Sequence, residues 1–366
     1  MASSPVPLLP LSYVLPIKHD TVTPDADLDG YLHRLAGEVA EVLVVDGSPP
    51  DVFADHARRW GDAVRHLVPD RSIADPPDKP VGVVTGARVA CQDVIVVADD
   101  DVRWERADLA AALGRMDGVD LVRPHNRFDP APWHARWDTG RTLLNRAFGG
   151  DWPGTLAVRR RYVVDGYGRD VLFENLDLVR TVAARGGRVS VARDLVVVRR
   201  PPEAGWFLRQ RVRQAYDEMA RPWQLAWQLT LLPAAVLGGR RAVAGMSLAA
   251  VIGAEVGRRR GGTAGYPPTA ALWAPAWLVE RGLCSWAAVA ARARGGVRYR
   301  GRRVRRAATP VRELRAAERR LPGEDASGRR PVGAIRTAAH PRSCSSDVGD
   351  ELQDERTHRG APDLSV

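Results

Sequence analysis

Apolar and polar residues change places along the first half of the chain in a regular order. Tyr13-Val14-Leu15-Pro16-Ile17 is an apolar run of strand length, closed by Lys18, His19 and Asp20. Leu28, Tyr31, Leu32, Leu35 and Val39 then recur at helical spacing. A second run, Glu41-Val42-Leu43-Val44-Val45, ends in Asp46-Gly47-Ser48, and Pro49-Pro50-Asp51 opens a helix with Val52, Phe53, His56 and Trp60 on one side. This β-α-β-α order with short connections predicts a parallel, doubly wound sheet. The steepest change of polarity comes at Asp93-Val94-Ile95-Val96-Val97-Ala98, a buried-strand pattern that stops at Asp99-Asp100-Asp101.

Around that stretch the pattern predicts a short strand over 65–69, a Pro- and Asp-rich loop over 70–80 and a helix over 81–90. Leu109, Leu113 and Met116 mark another helix, and 120–124 reads as a strand. A loop rich in Trp, His and Pro is expected over 125–137, then a helix over 142–148 and a strand over 154–159. Phe173 begins a helix that Gly186-Gly187 ends, 189–198 holds one or two strands, and an arginine-rich amphipathic helix is expected over 203–219. The composition changes at Pro222. Trp223–Gly239, Ala242–Val256 and Thr269–Ala291 are nearly continuous apolar runs, the first two separated by Arg240-Arg241. Each is close to or short of the ~20 residues that cross a bilayer, and Trp223, Trp227, Trp273, Trp277 and Trp286 suit a membrane–water interface. Placing Arg240-Arg241 or Glu280-Arg281 in or beyond the bilayer is costly, which favours a shallow hairpin and an interfacial helix over two or three spans.

Charge narrows the partner. Lys and Arg number 54 against 44 Asp and Glu, a net +10, and Lys18 and Lys79 are the only lysines. Such a balance points to anionic partners. The basic cluster Arg298, Arg300, Arg302, Arg303, Arg305 and Arg306 follows the apolar runs, as suits an anionic cytoplasmic leaflet. It lacks the interleaved aromatic residues of a stacking platform, which argues against nucleic acid. The three cysteines are far apart and have no metal-ligand spacing. Three carboxylates at one strand end repel one another and call for a cation, and oxygen ligands beside phosphates suit Mg²⁺ or Mn²⁺. In open α/β sheets ligands bind beyond the carboxyl ends of the strands.

Taken in order, Val14-Leu15-Pro16-Ile17-Lys18, Val44-Val45-Asp46-Gly47-Ser48, Val97-Ala98-Asp99-Asp100-Asp101, Gly154-Thr155-Leu156, Glu174-Asn175-Leu176-Asp177-Leu178 and Gln210-Arg211-Val212-Arg213 resemble a family 2 glycosyltransferase. The resemblance covers roughly 11–216. It implies the nucleotide-diphospho-sugar transferase (GT-A) fold, α/β with a doubly wound mixed sheet, followed here by membrane-associated helices. By position it implies that Pro16 and Asp46 line the nucleoside pocket, that Lys79 lies near the diphosphate, and that Asp100 adjoins the donor. Asp99 and Asp101 would form the DxD metal pair for Mg²⁺ or Mn²⁺. The family's helix-start motif reads Glu-Asp, and its Asp is the base. Here that position is Asn175, and an amide does not accept a proton at neutral pH, so Glu174 and Asp177 become the candidate bases. Gln210, Arg211 and Arg213 match part of a Gln-x-x-Arg-Trp element of membrane-associated members, with Gln214 where Trp is expected, and they could hold the diphosphate or a lipid phosphate.

The organisation expected is a lead-in over 1–10, a GT-A domain over 11–220, a membrane-associated helical region with the basic cluster over 221–310, and a charged, disordered tail over 311–366. The implied activity is metal-dependent, inverting transfer of a sugar from a nucleotide-diphosphate sugar to a lipid-like or glycan acceptor, with the catalytic domain on the cytoplasmic face of a membrane. A nucleotidyltransferase would share the sheet and the acidic site, but Pro16-Ile17-Lys18-His19-Asp20 lacks the glycine-rich loop of that class. Asn175 also leaves room for a membrane-anchored nucleotide-sugar-binding protein with impaired catalysis.

Overall fold

The computed structural model describes residues 6–74, 78–299 and 301–319. Most of the expected tail lies outside them. Strand β1 (Leu9–Ile17), helix α1 (Ala26–Ala36), β2 (Val39–Asp46), α2 (Pro50–Trp60), β3 (Arg65–Leu67), α3 (Lys79–Val89) and β4 (Val94–Ala98) follow the predicted order. Beyond them come β5 (Val102–Arg103), α4 (Arg106–Gly114), β6 (Leu121–Phe128), α5 (Trp133–Phe148), β7 (Thr155–Arg159), α6 (Glu174–Ala184) and β8 (Val189–Arg199). One sheet joins all eight strands in the order β3-β2-β1-β4-β7-β6-β8-β5. Strands β3, β2, β1 and β4 run parallel, and β7 pairs antiparallel with β4 and with β6. This is a mixed, doubly wound α/β sheet, as the resemblance implies.

The alternation along β1 shows why the sheet is covered on both faces. Leu11, Tyr13, Leu15 and Ile17 pack with Leu28, Leu32 and Leu35 of α1, whereas Val14 packs with Val83, Val84 and Ala87 of α3. Successive strand residues point to opposite faces, so both layers of helices are specified by one strand. Register sets Ile17 beside Asp46 and Val14 beside Val97. The polar residues that follow β1, β2 and β4 therefore gather at one edge of the sheet.

Three predicted elements differ. The loop expected over 125–137 is divided between β6 and α5, which begins at Trp133. The buried side of α5 includes His134, Asp138, Thr139, Thr142 and Arg146, so a hydrophobicity pattern misses its first turns. The single helix expected over 203–219 is broken into α7 (Ala204–Arg209), α8 (Arg211–Tyr216) and a 3-10 turn over Asp217–Ala220. The start of the expected tail forms helix α11 (Val311–Glu318).

The runs 223–239 and 242–256 belong to one 38-residue stretch, α9 (Pro222–Arg259), bent at Gly239, whose φ of 55° and ψ of −148° are non-helical. Only glycine takes such a backbone without strain. A 3-10 turn over Pro268–Trp273 leads into α10 (Ala274–Ala293), and β9 (Val297–Tyr299) and β10 (Arg302–Val304) form a small hairpin. Leu143 of α5, Ala250 and Ala254 of α9 and Ala274 of α10 share a core. The helices after Pro222 thus pack directly on the sheet domain's own α5.

Replacing Gly239 by Val should lower stability by about 1–3 kcal/mol through backbone strain. Gly245→Ala, at a helical position of α9 with open space around it, should be neutral or stabilise by about 0.5–1 kcal/mol. Thermal unfolding of the two variants in the same detergent checks the pair; equal midpoints would contradict the bend.

Candidate active site

The edge where β1, β2 and β4 end carries the three aspartates. The Asp99 amide donates to the Gly154 carbonyl at 2.9 Å. A Cβ at position 154 would fall 2.1 Å from Asp99 Oδ2, so any larger residue there would displace the Asp99 carboxylate. The repulsion foreseen among the three carboxylates is answered first by the chain's own cations. Lys79 Nζ lies 2.5 Å from Asp99 Oδ1, His19 Nε2 lies 3.1 Å from Asp100 Oδ2, and Arg199 Nε lies 2.8 Å from Asp101 Oδ2. Asp101 Oδ1 is left buried and without a partner. Burial lifts the Asp101 carboxyl to about 6, with Asp99 and Asp100 adding to the rise and Arg199 opposing it. An unpaired carboxylate oxygen beside a second carboxylate is a donor set that fits Mg²⁺ or Mn²⁺. Asp99 and Asp101 are the residues that would hold it.

Lys79 begins α3, where Asp78 caps the helix. Its Nζ also reaches Glu174 Oε1 and Asn175 Oδ1, each at 3.4 Å. Burial alone would favour the neutral amine, but Asp99 and Glu174 hold Lys79 well above the ordinary lysine range. Asn175 uses both ends of its amide, since its Nδ2 donates to the Pro153 carbonyl at 2.9 Å. A carboxylate could not make that second bond.

Two hollows meet at this point. One, of about 90 Å³, is lined by Pro16, Gly47, Asp78, Lys79, Asp99 and Asp100 among others. The second, of about 160 Å³, lies on the other side of Asp99 and is lined by Glu174, Asn175, Arg199, Arg213, Asp217 and Arg221, with Trp152 and Phe173. Pro16, Lys79, Asp99 and Asp100 therefore line one hollow, Glu174 lines the other with Asp99 common to both, and Asp101 lines neither.

Other predicted positions fall elsewhere. Asp177 is a correction: its side chain is fully buried, Oδ2 accepts the Gly168 amide at 2.9 Å and Oδ1 accepts the Thr309 amide at 2.5 Å. It holds two backbone segments in place and lines neither hollow. Asp46 is also buried and lines neither hollow. Ser48 N–H donates to its Oδ1 at 2.8 Å, and Oδ2 meets His56 at 2.7 Å and His66 at 3.0 Å. Burial works the other way, but these hydrogen bonds hold its carboxyl well below the usual range. His56 in turn meets His19 at 3.3 Å, so Asp46 is linked to Asp100 through the imidazoles of His56 and His19. Arg211 is engaged with Asp138 at 3.1 Å and Glu280 at 3.4 Å, which makes it a clamp between α5 and α10 at the second hollow. Gln210 sits at the α7–α8 junction, and its Oε1 is buried without a partner. Arg213 does line the second hollow.

Sequence reasoning missed His19, His56, Arg199, Asp217 and Arg221. The Arg199-Arg200 pair at a strand end was the available signal for one of them. Asp217 Oδ1, Glu218 Oε2, Gln214 Oε1, Arg213 Nε and Arg221 Nε are all buried and unpartnered at the second hollow. Polar atoms in that state call for a polar ligand or water.

No protein-family model matches the sequence, and neither does any curated protein. Among solved structures, the chain is similar to a mannosyltransferase from Pyrobaculum calidifontis in complex with GDP-Man and Mn²⁺. That likeness has 19% identity and a TM-score of 0.43, over 78% of this chain and 89% of that one. It is also similar to glucosyl-3-phosphoglycerate synthase from Mycobacterium tuberculosis in complex with Mn²⁺ and UDP-Glc, at 18% identity and a TM-score of 0.38, over 55% and 75% of the two chains. Both likenesses are low.

Asp177→Ala should destabilise the fold by about 1–3 kcal/mol, because two buried N–H groups lose their acceptor, and should leave nucleotide binding unchanged. Thermal unfolding and calorimetric titration with a nucleoside diphosphate check this; a large loss of affinity with an unchanged midpoint would return Asp177 to the site.

Proposed function

We propose that this chain is a metal-dependent, inverting glycosyltransferase that moves a sugar from a nucleotide-diphosphate donor to a lipid-like or glycan acceptor at the cytoplasmic face of a membrane. The observation that carries the reading is that one carboxylate, Asp99, lines both hollows. Group transfer requires two substrates to meet at one reacting centre, and the hollow beyond the strand ends suits the nucleotide. Pro16 and Gly47 line the nucleoside side, and Lys79 stands at the diphosphate end, where its charge offsets what develops on the leaving group. A divalent cation on Asp99 and Asp101 would supply Lewis-acid stabilisation of that diphosphate.

On the acceptor side Glu174 takes the proton of the attacking hydroxyl, and Lys79 fixes its position. Attack from the second hollow comes from the side away from the leaving group, which inverts the anomeric centre. Arg199, Arg213 and Arg221 surround an acceptor with positive charge, consistent with an acceptor that carries a phosphate. A second reading gives the base role to Asp217, whose carboxyl is raised to about 7 by burial, with Glu174 and Glu218 adding to the rise and Arg213 opposing it.

Membrane association rests on α9 and its surroundings. Among the described residues it is the one helix long and apolar enough to cross a bilayer, and little of its apolar window is buried. Trp223 is 86% exposed and Leu237 88%, and Val236, Leu248, Ile252, Val279 and Leu283 are also exposed. With the bend at Gly239, α9 reads as a hairpin set into one leaflet, and the arginines after α10 face anionic headgroups.

Purified full-length protein given labelled nucleotide sugars should carry label into an organic-extractable product. Chelation should abolish transfer, and Mn²⁺ or Mg²⁺ should restore it. Transfer that persists in chelator sinks the metal role, and release of nucleotide without any product sinks the transferase reading. Glu174→Gln should lower kcat by about 10²-fold or more, within the range for loss of a general base. If Asp217 is the base instead, kcat/KM rises with pH through about 7, where its carboxylate forms, and Asp217→Asn removes that limb.

A further inference from the structure

The bend at Gly239 leaves an open, mostly apolar groove of about 690 Å³ between the two halves of α9, α5 and α10. Its walls include Leu144 of α5, Trp227 and Leu231 of the first half of α9, Met246 and Ala249 of the second half, and Trp277 of α10. At one end the lining turns polar, with Asn145, Trp152, Glu218 and Arg221. These same four residues line the hollow that holds Glu174. The groove and the acceptor side of the active site are therefore continuous, and the passage between them changes from hydrocarbon to charge within one short stretch.

At that passage Arg221 donates to Glu218 Oε1 at 2.6 Å, while Arg221 Nε and Glu218 Oε2 are buried and unpartnered. Arg123 lies over the Trp152 ring at 3.9 Å, and its Nε is likewise without a partner. A wholly apolar occupant would leave these groups unsatisfied, and a wholly polar one would leave the groove wet against Leu and Trp. Resting on the transferase reading above, we infer that the groove holds the long aliphatic tail of the acceptor, with its terminal oxygen, a hydroxyl or a phosphate, reaching past Trp152 into the second hollow. In the transfer that oxygen forms the new bond to the anomeric carbon, a hydroxyl losing its proton to Glu174 and a phosphate oxygen attacking as the anion it already is, while the nucleoside diphosphate leaves with the electron pair of the broken bond. The tail contributes binding and places the head, so it acts on KM for long-chain acceptors above all.

The test uses full-length protein in phosphatidylcholine vesicles with a diazirine-bearing hexadecyl phosphate, and the labelled peptides are mapped by mass spectrometry. Label is expected on Leu231, Met246 and Trp277, and Ala249→Trp, which fills the groove, should cut it at least fivefold. Leu248→Trp, on the exposed side of the same helix, should not. Binding of nucleotide donor by Ala249→Trp reports that the variant is folded. Should it fail to fold, unlabelled hexadecyl phosphate added to the unaltered protein should still suppress groove label and spare label at Leu237 and Leu248. Label confined to those outer positions, or indifferent to the filled groove and to the competitor, overturns the proposal. Competition by hexadecanol as strong as by hexadecyl phosphate assigns a hydroxyl head, and a tenfold preference for the phosphate assigns an anionic one. Groove labelling in a protein that transfers sugar to no acceptor keeps the lipid site and overturns the transferase reading. Sugar transfer to a water-soluble acceptor with no groove label does the reverse.

Discussion

Lys79 is the charge on which the site depends. Its ammonium is the common partner of Asp99, Glu174 and Asn175, three groups delivered by β4 and by the start of α6. Without it, the two carboxylates would have no shared cation between them. The lysine lets a carboxylate that lines both hollows and one that lines only the second stand close together. That proximity brings the two hollows to a shared wall, and the helix cap at Asp78 and the glycine at 154 serve to keep it.

Much of this was legible along the chain. β1, β2 and β4 announce themselves by apolar runs that stop at polar residues, because a strand buried on both faces tolerates nothing else. The acidic strand end and Glu174 stood out for the same reason, since carboxylates at such places are conspicuous. The partners of those carboxylates were not legible. His19 and Arg199 come from segments far from Asp100 and Asp101, and only the closed sheet brings them together, while His56 reaches Asp46 from the helix that follows its strand. Asp177 shows the opposite error. Its residue type and spacing are those of a catalytic group, yet its two oxygens are occupied by backbone amides from segments far apart in sequence. The substitution at Asn175 gains a physical meaning as well, since an amide can join Lys79 to Pro153 in a way that an aspartate cannot.

The helices after Pro222 extend the same logic from charge to hydrocarbon. Their outward side is apolar and exposed, and their inward side completes a groove that shares lining residues with the second hollow. α5 is the element that makes this possible. Leu143 and Ala147 face the later helices, while Asp138 and Arg141 face the site. The polar character that hid its first turns from a hydrophobicity pattern is what allows one helix to serve both neighbourhoods.

The clamp at Arg211 has a consequence for how such a chain can be divided. Its guanidinium lies between Asp138 of α5 and Glu280 of α10, so the wall of the second hollow is assembled from both sides of the composition change at Pro222. Cutting there would remove Arg281 from that wall and Glu280 from Arg211, and would expose the side of α5 that carries Leu143. The two sides of Pro222 therefore pack as one body around α5. Substitutions in α10 would alter the second hollow directly, without touching the strand ends that line the first.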